Sequence, residues 1–61
     1  MTKYRIKSGK TYARISGYES SIVDWCYLGE GEKVFEFMTE AIFFAEKHSF
    51  KDYEIELFTE G

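Results

Sequence analysis

The side chains able to act as nucleophile and base are few: the chain has one cysteine, Cys26, and one histidine, His48. A thiolate–imidazole pair would need both within hydrogen-bond reach and a third group to orient the ring. Cys26 instead sits in an apolar, β-branched and aromatic run, where cysteine behaves as a small hydrophobe. His48 falls in the last turn of a helical stretch, where a cation complements the helix dipole. Glu30 with Glu32, and Glu54 with Glu56, are the carboxylate pairs available for acid–base work, but carboxylates alternating along a strand or grouped in a glycine-rich turn read as a solvated face. No spacing gathers metal ligands, and no cofactor is implied. Gly9-Lys10-Thr11 matches the end of a phosphate-binding loop, yet that loop wants a glycine where Tyr4 stands and a helix where a strand is expected. Taken together, these residues predict a protein that is not an enzyme.

A second chemistry is electrostatic. Lys3, Arg5, Lys7, Lys10 and Arg14 give residues 1–14 five cations and no acid, whereas residues 15–61 carry three lysines against all eleven acids. Around Tyr12 these cations make a candidate nucleic-acid surface, the cations tracking phosphates and the ring stacking a base. With no Asn or Gln to read base edges, such binding would be non-specific. The competing reading is a charge ladder: Glu54 and Glu56 share the outward phase of the last strand and would neutralise Arg5 and Arg14 if that strand lay beside the hairpin. The ladder is favoured.

The elements that must position these groups follow from periodicity. Tyr4, Ile6 and Ser8, then Thr11, Ala13 and Ile15, alternate with polar residues and predict a hairpin over residues 4–15. Gly9-Lys10 would be a type II′ turn, setting Ser8 opposite Thr11, Ile6 opposite Ala13, Tyr4 opposite Ile15 and Arg5 opposite Arg14. After a polar connection at residues 17–21, residues 22–28 read as a third strand. A short strand at residues 34–37 is preferred to a long helix from Lys33, with Thr39 as N-cap of a helix over residues 40–48. That helix would turn Ala41, Phe44, Ala45 and His48 to the sheet and leave Phe43 in solvent beside Glu46 and Lys47. The last strand, residues 52–58, would point Tyr53, Ile55 and Leu57 inward. The expected core is Ile6, Ile15, Phe44, Ala45, Ile55 and Leu57.

The fold class predicted is α+β: one domain over residues 1–61, a small antiparallel sheet of three to five strands covered by one helix, in the order ββββαβ, or βββαβ if the fourth strand dissolves into the helix. Ordering a chain this short must be offset by apolar burial, and 12 aromatics (Trp 1, Tyr 5, Phe 6) are the means. More of them are present than a thin core can bury. Tyr18, Trp25, Tyr27, Phe43, Phe50 and Phe58 include several the periodicity does not place inside, and exposed aromatics are what interfaces are built from. Tyr18, Trp25, Tyr27, Phe43 and Lys47 are therefore the candidate partner-binding residues. A lone cysteine, and no apolar run long enough for a signal core or a membrane span, predict a cytoplasmic protein with no membrane partner.

In the C-terminal half, Val34-Phe35-Glu36-Phe37-Met38-Thr39-Glu40-Ala41, followed by Phe44-Ala45-Glu46-Lys47-His48 and Asp52-Tyr53-Glu54-Ile55, resembles a pattern of very short phage-encoded accessory proteins. In these a hairpin precedes a helix opening with Thr-Glu-Ala and a final strand ending in Tyr-Glu-Ile. The resemblance carries no catalytic residues. It implies an early-expressed non-enzymatic protein, active in the host cytoplasm, that binds a host or phage protein to redirect host machinery or block an antiviral defence. A second copy of the chain is a further candidate partner.

Overall fold

The computed structural model describes residues 1–16 and 22–59. The period-two alternation from Lys3 to Ser8 forms β1 (Thr2–Ser8), and the chain returns as β2 (Thr11–Ser16). Gly9 supplies the positive φ, 62°, that a type II′ turn needs at its first central position, and Lys10 does not share it. Ser8 lies opposite Thr11 and Lys7 opposite Tyr12, as the turn dictates. The pairing of β1 with β2 then stops. Ile6 opposite Ala13, Tyr4 opposite Ile15 and Arg5 opposite Arg14 do not form, because residues 33–35 enter the gap. Lys33 N–H donates to the Ala13 carbonyl at 2.8 Å, and Tyr4 and Phe35 exchange backbone bonds of 2.9 and 2.8 Å. The insertion separates two arginines that would repel and buries the Phe35 ring.

β3 (Ile22–Cys26) pairs antiparallel with β2, and β4 (Glu54–Thr59) pairs antiparallel with β1, giving one sheet in the order β3-β2-β1-β4. β3 ends earlier than residue 28 because Tyr27 leaves for a turn, where the Glu30 and Glu32 carboxylates accept the Tyr27 and Gly29 N–H groups at 2.9 and 3.0 Å. The expected fourth strand is reduced to the Tyr4–Phe35 bridge, so the order is βββαβ. The helix α1 (Met38–Lys47) begins earlier than expected, with Phe37 and not Thr39 at its N-cap. Phe37 keeps the extended backbone of the bridge (φ −128°, ψ 142°), and its carbonyl accepts the Glu40 and Ala41 N–H groups. The helix ends with Ser49 in the left-handed region (φ 56°), Ser49 N–H bonding Glu46 and Phe50 N–H bonding Ala45, the doubled closure of a Schellman turn.

Ala41 and Ala45 are fully buried, and their small side chains let α1 press onto the sheet over Ile6, Ala13 and Phe35. Tyr4, Val23, Phe44, Phe50, Tyr53 and Ile55 surround this centre. Of the expected core, Ile6 and Ala45 are at its heart, Phe44 and Ile55 are at its margin, and Ile15 is half-buried. Leu57 departs from expectation at 60% exposure, because β4 is an edge strand and α1 does not extend over it there. Among the described residues no helix is long and apolar enough to cross a membrane.

Candidate functional site

The residues that alternate out of phase with the core stand on the sheet face opposite α1. There the register sets Lys3 beside Phe58, Arg5 beside Glu56, Lys7 beside Glu54, Tyr12 beside Cys26 and Arg14 beside Asp24. Arg5 is the centre of this face. Its Nε donates to Glu56 Oε1 at 2.6 Å, its guanidinium also reaches Glu32 at 3.7 Å, and it lies 4.1 Å from the Phe58 ring centre and 4.9 Å from that of Tyr12. Tyr12 Oη donates to the other Glu56 oxygen at 3.1 Å, and Lys7 approaches it at 3.7 Å. Burial alone would raise the Glu56 carboxyl, but the hydrogen bonds from Arg5 and Tyr12 and the charges of Arg5 and Lys7 outweigh it and hold the group below the usual range.

Arg14 and Asp24 form a bidentate pair, Nε to Oδ1 at 2.9 Å and Nη2 to Oδ2 at 2.8 Å. That hydrogen bonding with Arg14 pulls the Asp24 carboxyl below its ordinary value and raises the guanidinium further. Arg14 Nη1 also donates to the Glu30 carbonyl at 3.2 Å, so residues 27–32 are folded back over this face. Tyr12 and Cys26 are consequently buried although they face away from the helix, and burial pushes the Cys26 thiol up.

The charge ladder thus forms, with one correction: Glu56 neutralises Arg5 as expected, but Arg14 belongs to Asp24 and to neither Glu54 nor Glu56. Lys3 pairs with Glu36 at 3.2 Å. Of the six residues proposed to touch nucleic acid, Lys3, Arg5, Lys7 and Arg14 are in ion pairs, Tyr12 is buried beneath Arg5, and Lys10 stands exposed at the turn. Sequence reasoning did not place Glu32 and Phe58 beside Arg5, nor Asp24 beside Arg14. Asp24 carried a signal, since a hairpin between residues 11–16 and 22–26 brings it to Arg14; Glu32 carried none, because a turn residue has no strand phase.

Two of the aromatic candidates, Phe43 and Trp25, stand on the helix side. Phe43 is 69% exposed. It borders an open groove of about 570 Å³ between α1 and the crossing segment, lined by Lys33, Val34, Phe35, Glu36, Glu40, Phe44 and Lys47. Lys47, predicted with Phe43, is therefore beside it. Trp25 and Tyr27 do not line this groove. The Trp25 ring packs on Phe50 at 4.9 Å and is 38% exposed, whereas Tyr27 stands 62% exposed in the turn after β3. Tyr18 lies outside the described residues.

Cys26 and His48 are not brought together. Cys26 is buried on the face away from α1, while the His48 ring packs on Phe44 at 4.5 Å and Phe50 at 5.9 Å on the helix side. Among the described residues no three His, Cys, Asp or Glu side chains converge as metal ligands would. No family model, no curated protein and no solved structure matches the chain.

Proposed function

We propose that this protein is a non-enzymatic binding module that docks a host or phage protein and inhibits or modulates it, in the manner of a phage accessory factor acting in host takeover or against a host defence. The observation that carries this reading is Phe43: a phenylalanine 69% exposed on a helix that buries Ala41 and Ala45 completely on its opposite side, beside a groove whose rim bears Lys33, Glu36, Glu40 and Lys47. An apolar anchor ringed by polar groups is the anatomy of an interface hot spot. Lys47 belongs to this surface, and Trp25, Tyr27 and Tyr18 are secondary contacts. Nucleic-acid binding is the weaker reading, because Lys3, Arg5, Lys7 and Arg14 already spend their charge on carboxylates.

The test is capture of partners from the host by the tagged chain, run in parallel with Phe43→Ala. Proteins retained by the wild type and lost with the variant support the proposal. Tight, steeply salt-dependent binding to DNA or RNA, with a Kd below roughly 1 μM and no such protein, would replace it with the nucleic-acid reading.

A further inference from the structure

Glu40, Phe43, Phe44 and Lys47 follow one another on α1 at helical spacing, and all four line the groove beside the crossing segment. At roughly 100° per residue they fall within about 100° of arc, a single stripe along the helix. Glu40, Phe43 and Lys47 are exposed, while Phe44 is held by the rings of Phe35, His48 and Phe50. The stripe is thus anchored on one side by the core and open on the other.

Its charges are unanswered within the chain. Lys3 pairs with Glu36, Arg5 and Lys7 with Glu56, and Arg14 with Asp24, whereas neither Glu40 nor Lys47 has an ion-pair partner among the described residues. The two do not answer each other, since about two helical turns, roughly 10 Å, separate them. At the positions where helical ion pairs form, three and four residues away within the stripe, both meet only Phe43 and Phe44. The order acid, aromatic, aromatic, base is its own complement when reversed.

We infer that two copies of this chain pair through α1, the helices antiparallel about a two-fold axis that passes midway between Phe43 and Phe44. That axis sets Glu40 level with Lys47 of the second copy and Lys47 level with Glu40 of the second copy, and it brings the two Phe43 rings together between these ion pairs. Laid side by side in parallel, the same stripes would set acid against acid and base against base. A foreign helix would have to reproduce this order and spacing, and the chain itself supplies it. The contact is one ten-residue helix long, short of what a permanent dimer buries, and exposed ion pairs contribute little, so the dimer is weak and half-formed near about 100 μM. At micromolar concentration Phe43 is free to dock the partner proposed above, and at high concentration the chain covers its own docking face. The inference shares Phe43 with that reading and stands without it, because the purified chain alone reports it.

Sedimentation equilibrium from about 5 to 1000 μM should show a reversible dimer of the 7.2 kDa chain. Glu40→Lys and Lys47→Glu, each with circular dichroism unchanged, should each raise the Kd about tenfold or more, since either one sets like charges face to face at both ends of the contact. Their equimolar mixture should recover the wild-type affinity, because in the mixed dimer both contacts join opposite charges again. Phe43→Ala should raise the Kd about 30-fold. A wild type monomeric to about 1000 μM, a mixture that associates no more tightly than its separate variants, or a dimer unaffected by Phe43→Ala would overturn the inference. A monomeric wild type that still captures a host protein through Phe43 overturns it too, leaving the proposed function standing and giving the face to that partner. The expected dimer with no captured partner supports the inference and removes the other reading.

Discussion

Tyr4 and Phe35 exchange both backbone hydrogen bonds, although 31 residues separate them and neither belongs to the other's predicted neighbourhood. This exchange closes the gap where β1 and β2 part. The chain comes from residues 27–32, folded on one face of the sheet, and leaves through that gap to build α1 on the other. Phe35 is thus at once the plug in the sheet and, 6% exposed, a member of the core. Phe35→Ala should cost about 3–5 kcal/mol, enough to unfold so small a domain at ordinary temperature. Leu57→Ala, truncating a side chain of similar apolar character at 60% exposure, should cost well under about 1 kcal/mol. Urea titrations of the two variants measure the contrast, and equal losses would mean that the crossing segment contributes no more than the edge.

Much of this fold was legible from local pattern. The type II′ turn, the Ser8–Thr11 register and the burial of Ala41 and Ala45 with Phe43 outside follow from periods of two and 3.6 residues, and these are properties of neighbours in sequence. The insertion of residues 33–35 was not legible, because it exchanges one long-range partner for another: Val34 and Phe37 fit a strand or a helix equally well. Arg14 illustrates the same limit at the candidate site. Its excess charge was plain, but whether Asp24 or a glutamate of β4 would answer it depended on strand order. Leu57 had the inward phase and lacked only a roof.

A pH dependence follows from the two depressed carboxylates. Because Glu56 and Asp24 titrate lower in the folded chain than in the unfolded one, their contribution to stability is complete above the unfolded carboxylate range and is lost as pH falls through their folded values. The melting temperature should be level from about pH 6 to 8 and fall below about pH 4. Glu56→Gln, which keeps a neutral acceptor but leaves Arg5 to Glu32 alone, should lower stability by about 1–3 kcal/mol at neutral pH and flatten the acid limb. Scanning calorimetry across pH on both proteins checks the sign, and an unaltered acid limb in the variant would remove Glu56 from the account.

Ser49 closes α1 from the left-handed region, where a Cβ is a burden and glycine is at ease. Its side chain is exposed. Ser49→Gly should therefore stabilise the protein by about 0.5–1 kcal/mol, despite the greater freedom glycine gives the unfolded chain. A rise in the thermal midpoint is the expected reading, and a fall would show that the unfolded-state term dominates.

Phe43 and Phe44 are adjacent, identical in type and opposite in expected behaviour. Phe44 meets the rings of Phe35, His48 and Phe50 at 5.3, 4.5 and 6.0 Å and supports the rim of the core, while Phe43, about 100° further around the helix, is 69% exposed. Phe44→Ala should cost about 2–4 kcal/mol and reduce every activity in proportion to the folded fraction. Phe43→Ala should leave the melting temperature within a degree or two, because an exposed ring in a helix contributes little to folding. It should nevertheless weaken capture of the partner by about 2 kcal/mol or more, about 30-fold, if Phe43 is the anchor its setting suggests. Thermal melts and partner titrations on the two variants separate folding from binding, since a destabilised protein loses both and a lost anchor only the second. Should Phe43→Ala bind the captured partner as tightly as wild type, the docking surface lies elsewhere, and Tyr27 at 62% exposure in the turn after β3 becomes the next side chain to truncate.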